Sequence, residues 1–207
     1  MATQLDFEEN SRIGMKDSIL NKVADVSRPY RHKLAGLLIP RIYYNEYGQR
    51  PMIDFISSQN KTDLVGVEVG VKRAENAEFV LKKLDIKMLY LVDSYDPQIS
   101  KTAEQDKIVA FKRMKKHKNT KFIIADSFAA GSMIPEQVDF VYIDADHSYE
   151  GVLRDIRTYY PLVKKSGVIG GHDFYGKFLG VVTAVLDWTE KNHLKLHTGN
   201  FDWWVTK

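Results

Sequence analysis

The sequence predicts an α/β fold: a doubly wound, mostly parallel sheet of seven strands, with helices on both faces and an antiparallel strand near the C-terminus. Three observations predict it. From residue 64 onward, short apolar runs alternate with amphipathic stretches, the pattern of a parallel sheet covered on both sides. The last two strand candidates lie close together around Thr198, Gly199 and Asn200, which suits a hairpin rather than a crossover. The first five strand candidates each end at an acid, on the rim where such sheets bind ligands.

The elements follow in chain order. Pro40 and Pro51 break the first sixty residues into short pieces. Residues 50–58 read as a short helix with Met52, Ile53, Phe55 and Ile56 inward. Residues 64–69 form a buried strand that stops at Gly70, and residues 74–84 a helix with Ala77, Val80, Leu81 and Leu84 on one side. Residues 88–92 are a second strand. Residues 102–116 are helical, with Ile108, Val109 and Phe111 as the apolar stripe. Strands at 122–125 and 138–143 precede a helix at 149–160 whose apolar side is Val152, Leu153, Ile156 and Tyr160. A fifth strand contains residues 167–170, a helix spans 181–191, and final strands lie at 194–197 and 203–205. Trp203 and Trp204 point to opposite faces of their strand, which makes one of them core.

Composition removes several function classes. The 207 residues suit one large domain, with 44% hydrophobic and 28% charged residues, ordinary values for a globular protein. With no cysteine there is no disulfide, thiolate metal site, iron–sulfur cluster or cysteine nucleophile. A net charge of +3 is too small to imply a nucleic-acid partner by itself. The early apolar run at 34–39 stops at Pro40 and is too short to span a bilayer, and residues 1–10 lack an export signal. A cytoplasmic location with no membrane partner is the expectation.

Chemistry is sought at the strand ends. These are Glu68-Val69-Gly70, Asp93-Ser94, Asp126-Ser127, Asp144-Ala145-Asp146-His147 and His172-Asp173. One such acid is often a helix N-cap; five along one rim exceed what capping requires. Asp146 or Ser148 is the expected cap of the helix at 149. A dinucleotide fingerprint would need glycines where Lys72 and Glu75 stand, and no phosphate-binding lysine–serine loop occurs.

The stretch Val67-Glu68-Val69-Gly70-Val71 resembles the first motif of class I S-adenosylmethionine-dependent methyltransferases. Residues 138–149 and 162–173 resemble the fourth- and fifth-strand motifs of a small-molecule O-methyltransferase branch, which includes sugar, macrolide-sugar and, more distantly, catechol-type enzymes. The resemblance covers residues 64–207 and implies a Rossmann-like fold. It implies that Glu68 meets the cofactor's amino group, Asn76 its carboxylate and Asp93, with Ser94 beside it, the ribose. Gly70 lets the backbone approach the methionine part, and Asp126 and Ser127 meet the adenine edge. An acidic rim suits a cofactor that carries a sulfonium and an ammonium but no phosphate. Asp144, His172 and Asp173 fall where metal-dependent relatives hold a divalent cation, Mg²⁺ or Mn²⁺. Asp144 and His147 are the catalytic candidates, His147 as a general base titrating near neutral pH.

On this reading residues 1–60 are an N-terminal helical lid or substrate segment, with Tyr43, Tyr44 and Tyr47 in packing or lid roles, and residues 61–207 bind the cofactor. The partner is a small molecule bearing a hydroxyl, and a homo-oligomer is open. Two departures from the motifs matter. His172 stands where an acid is usual, and Lys72 and Ala74 stand where glycine is common. Alternatives are a metal-independent enzyme of the same fold, with His147 or His172 as base, and an RNA-binding or RNA-modifying protein using the basic stretch Lys112 to Lys121. Such a stretch is more often the solvated end of a surface helix.

Overall fold

The computed structural model describes residues 49–207. The lid expected over the N-terminal segment, with Tyr43, Tyr44 and Tyr47, lies outside the described residues except for its last part. Seven strands form one sheet: β1 (Leu64–Val69), β2 (Ile86–Asp93), β3 (Thr120–Ile124), β4 (Val138–Ile143), β5 (Val163–Gly171), β6 (His197–Gly199) and β7 (Asp202–Thr206). Their spatial order is β3-β2-β1-β4-β5-β7-β6. Pairings from β3 across to β5 are parallel, whereas β7 runs antiparallel to both β5 and β6. The order reverses between β1 and β4, whose carboxyl ends are in register at Val69 and Ile143. A crevice opens there because the connections leave the two strands in opposite directions.

Among the described residues six helices cover the sheet: α1 (Pro51–Ser58), α2 (Glu75–Lys83), α3 (Ala103–Met114), α4 (Ser127–Gly131), α5 (Tyr149–Tyr159) and α6 (Leu179–Lys191). Strand alternation sorts the core into two layers. Val65, Val67, Val69 and Val141 pack with Ile156, Val182 and Val185 on one face. Phe140 and Tyr142 pack with Met52, Ala77 and Leu89 on the other. Both tryptophans of β7 are buried, Trp203 in the first layer and Trp204 in the second, so the expectation that one is core is corrected to both. Helices on each side of the sheet give either face of the strand an apolar neighbour.

Helix α3 inverts the expected stripe. Its buried residues are Ala103, Asp106, Ala110 and Met114, while Ile108 and Phe111 are 54% and 43% exposed. Alanines allow close approach to the sheet, and Asp106 tolerates burial because Arg73 Nε and Thr102 Oγ1 both donate to it. The short helix α4 was not expected; the Asp126 side chain caps it by accepting from Phe128 N at 2.9 Å. Strand β6 begins at His197, three residues later than expected, and a two-residue turn joins it to β7. Asn200 (φ 38°) and Phe201 (φ 73°) are both left-handed there, as a turn compatible with strand twist requires.

Candidate active site

The turn after β1 is built from backbone amides and one carboxylate. Asp93 Oδ2, at the end of β2, accepts from Val71 N (2.9 Å) and Lys72 N (2.8 Å), and its Oδ1 accepts from Tyr95 N (2.8 Å). Lys72 and Ala74 both have positive φ, at the positions where the motif commonly carries glycine. Gly70 is required at φ +89°, and a Cβ there would collide with the Asp144 carbonyl. Its missing side chain thus makes room for the β4 backbone.

Beside this turn lies a cleft of about 640 Å³, lined by Gly70, Asp93, Ser94, Asp126, Ser127, Asp144 and His147 among others. Strand-end residues that are distant in sequence converge here. Asp126 is largely exposed, with Arg154 Nη2 3.6 Å from its Oδ2. The Ser127 hydroxyl is already engaged: it donates to Asp155 Oδ1 at 2.5 Å and accepts from Arg154. Burial pushes the Asp155 carboxyl up to about 6, against the Ser127 bond that favours its charged form.

Glu68, Asn76, His172 and Asp173 do not line that cleft. Glu68 is 2% exposed, and its carboxyl is held well above the usual range, first by burial and then by the neighbouring Asp144 charge. Glu68 Oε2 and Asn76 Nδ2 are buried without a hydrogen-bond partner. Arg50 Nε donates to Asn76 Oδ1 at 3.1 Å.

At the ends of β4 and β5, a ligand atom from each of Asp144, His147 and Asp173 lies within 4.8 Å of the others. His147 Nε2 is 2.8 Å from Asp173 Oδ2 and 3.5 Å from Asp144 Oδ1, with hydrogen-bond alignment to neither. Such a convergence of two carboxylates and an imidazole is one that a cation could occupy. His172, expected in this set, stands outside it: its Nδ1 is 3.1 Å from the other Asp173 oxygen. His147 enters instead because the Asp146–Ser148 turn swings it back over the strand end. Asp146 Oδ1 accepts from Ser148 N, and Ser148 Oγ caps α5 by accepting from Gly151 N.

The expectation that His147 titrates near neutral pH is also corrected. Asp144 and Asp173 push it up to about 9, against partial burial. Asp173 is opposed by burial, yet the two imidazoles hold its carboxyl well below the usual range. Asp173 itself has φ +62°.

Several site neighbours escaped sequence reasoning. Buried Asp202, at the start of β7, accepts from Tyr142 Oη (2.7 Å) and Met52 N (3.2 Å), and burial pushes it up to about 6. An aromatic wall stands beside the two histidines: Phe178 lies 4.4 Å from the His147 ring, and Tyr175 4.4 Å from Phe201. The aromatic-rich segment after Asp173 was a signal that could have found the wall; Arg50 and Asp202 carry no local motif. The basic stretch does not line the cleft, and within it Arg113 (2.9 Å) and Lys116 (3.5 Å) pair with Glu78.

Fold and site together define a doubly wound α/β domain with an acidic rim at its switch point. The chain belongs to a methyltransferase-domain family, whose model matches residues 60–174. That membership supports S-adenosylmethionine as methyl donor. No curated protein matches by sequence. Among solved structures, an O-methyltransferase from Bacillus cereus in complex with S-adenosylhomocysteine (SAH) is similar at 13% identity. It covers 92% of this chain and 91% of its own, with a TM-score of 0.60. An rRNA methylase from Streptococcus thermophilus covers 78% of this chain and 97% of its own, at 15% identity and TM-score 0.55. A precorrin-6y C5,15-methyltransferase from Geobacter metallireducens covers 79% and 93%, at 15% identity and TM-score 0.57. These similarities establish the Rossmann-like fold; their different acceptors leave the substrate to be argued from the site. Among the described residues, no helix is long and apolar enough to cross a membrane.

Proposed function

We propose that this methyltransferase transfers a methyl group from S-adenosylmethionine to a hydroxyl of a small molecule, with a divalent cation held by Asp144, His147 and Asp173. The observation that carries this reading is the convergence of those three side chains beside the cleft. Two carboxylates and an imidazole fit Mn²⁺ better than Mg²⁺, which prefers oxygen throughout. When bound, the cation supplies Lewis acidity that makes an acceptor hydroxyl easier to deprotonate.

The chain's own residues do the rest. The unpartnered Glu68 oxygen and Asn76 amide suit the ammonium and carboxylate of the cofactor's amino-acid end. Asp93 uses three of about four lone-pair sites on the loop, leaving one for a ribose hydroxyl. Asp126 and Ser127 face the adenine edge; Ser127 contributes backbone there, since its hydroxyl is spent on Asp155. The acceptor oxygen attacks the methyl carbon in line. The carbon–sulfur bond breaks with its electron pair going to sulfur, which loses its positive charge, and the acceptor's proton leaves to water. Catalysis then rests on alignment of the two substrates. Phe178 and Tyr175 form a wall against which a ring-shaped acceptor can lie.

A second reading rests on the 2.8 Å approach of His147 to Asp173. It drops the cation and makes His147 the base in its deprotonated form, which grows as pH rises toward about 9, with the Asp173 carboxylate beside it to stabilise the imidazolium that forms. Calorimetric titration of SAH into EDTA-treated protein tests the cofactor. Methyl transfer to a vicinal diol, with and without Mn²⁺ and with Asp144→Ala, then separates the two readings. Activity lost on chelation and regained with Mn²⁺ supports the first; activity that survives exhaustive chelation supports the second. Absence of SAH binding at millimolar ligand removes both.

A further inference from the structure

Arg50 stands at the N-cap position of α1, and its side chain makes no capping bond there. Its Nε donates to Asn76 Oδ1 at 3.1 Å and its Nη1 to the Gln49 carbonyl at 3.1 Å, and among the described residues no hydrogen bond uses Nη2. The first bond orients the Asn76 amide. With Oδ1 committed to a donor, Nδ2 turns toward the Glu68 carboxyl and favours its charged form, yet the amide is buried without an aligned hydrogen bond. Glu68 Oε2 is the second buried orphan at this strand end, on a side chain that is 2% exposed. Folded proteins leave few such atoms, because each costs its full desolvation when unpaired.

The two orphans have opposite character. One is a carboxylate acceptor that suits a cation; the other is an amide donor that suits an anion, with a guanidinium beside it. A group carrying an ammonium and a carboxylate on the same carbon satisfies both at once. The Arg50 charge is directed at this end of the sheet, since it acts on Glu68, Tyr142, His172 and Asp202.

We infer that Arg50 is a binding and positioning residue for the amino-acid end of the cofactor: Nε sets the Asn76 amide, and the guanidinium supplies the positive charge that meets the carboxylate. This rests on the S-adenosylmethionine reading above. The adenosine end is held on the other side of the β1 turn, at Asp93 and Asp126, so the two ends of the ligand can be tested separately.

The test titrates wild type, Arg50→Ala and Arg50→Lys with SAH and with 5′-methylthioadenosine, which keeps the adenosine and thioether but lacks the amino-acid group. Thermal melts confirm that each variant is folded. Arg50→Ala should lose about 10- to 100-fold in SAH affinity, the range for a charge-assisted bond, with 5′-methylthioadenosine affinity unchanged. Arg50→Lys should recover part of the loss, because the charge returns without the planar Nε donor. Equal losses for both ligands, or no loss for either, overturn the inference. Wild-type protein that fails to bind SAH overturns the cofactor reading itself, a result visible before any variant is compared.

Discussion

Asp173 sits between two imidazoles, and Asp173→Asn isolates what its charge does. Asparagine tolerates the left-handed backbone at φ +62° as aspartate does, so the substitution removes charge with little backbone cost. In the native chain Asp144 and Asp173 together move His147 from 6.5 to about 9. At roughly 1.4 kcal/mol per pH unit this corresponds to about 3 kcal/mol between the two protonation states. Two carboxylates share it, and the His147 side chain is 36% exposed, so solvent screening leaves about 1 kcal/mol of stability for Asp173 alone. Because the folded value is raised, this stability is complete below pH 6.5 and is lost as pH rises through about 9. Titration of the His147 imidazole resonances by NMR, in metal-free protein, should show its midpoint falling by about one pH unit in Asp173→Asn. Urea unfolding at pH 6 and pH 10 should show a smaller stability drop than wild type across that window. A folded variant whose His147 titrates as before would refute the assignment of Asp173 as its partner.

Three further outcomes are expected. Gly70→Ala forces an L side chain to φ +89° against the Asp144 carbonyl, and denaturant unfolding should show a loss of about 3 kcal/mol or more. Asp155→Asn removes a carboxyl whose folded value is raised from 3.8 to about 6 by burial. Its penalty is absent below pH 3.8 and grows as pH rises through 6, so the variant should gain up to about 3 kcal/mol over wild type at pH 8 and nothing at pH 3, read from paired melts. Lys115→Glu with Lys116→Glu should leave methyl transfer unchanged, because those residues lie away from the cleft; filter binding that shows a salt-sensitive loss of RNA affinity would favour the RNA alternative.

Much of this architecture is local and therefore legible. A buried parallel strand is an unbroken apolar run, so Val65 to Val69 and Val138 to Ile143 announce themselves. The hairpin spacing near Asn200 announces the antiparallel end. Where neighbours decide the outcome, local pattern misleads. Ile108 and Phe111 look like the buried face of α3, but the sheet accepts Ala103, Ala110 and a paired Asp106 in their place. Trp203 and Trp204 look like one inside and one outside, but helices cover both faces of β7.

The same division runs through the site. By itself the sequence determined that five acids stand at five strand ends, because strand length and the turn that follows are local properties. It also carried the turn glycine Gly70 and narrowed the cap of α5 to Asp146 or Ser148, of which the structure uses Ser148. Only the tertiary structure decided that His147, rather than His172, joins Asp144 and Asp173, and that both carboxylates raise it to about 9. It alone brought Arg50 to Asn76 and Asp202 to Tyr142, pairs separated by 26 and 60 residues. Charge pairing and desolvation act over a few ångströms in space, and chain separation carries no record of that distance.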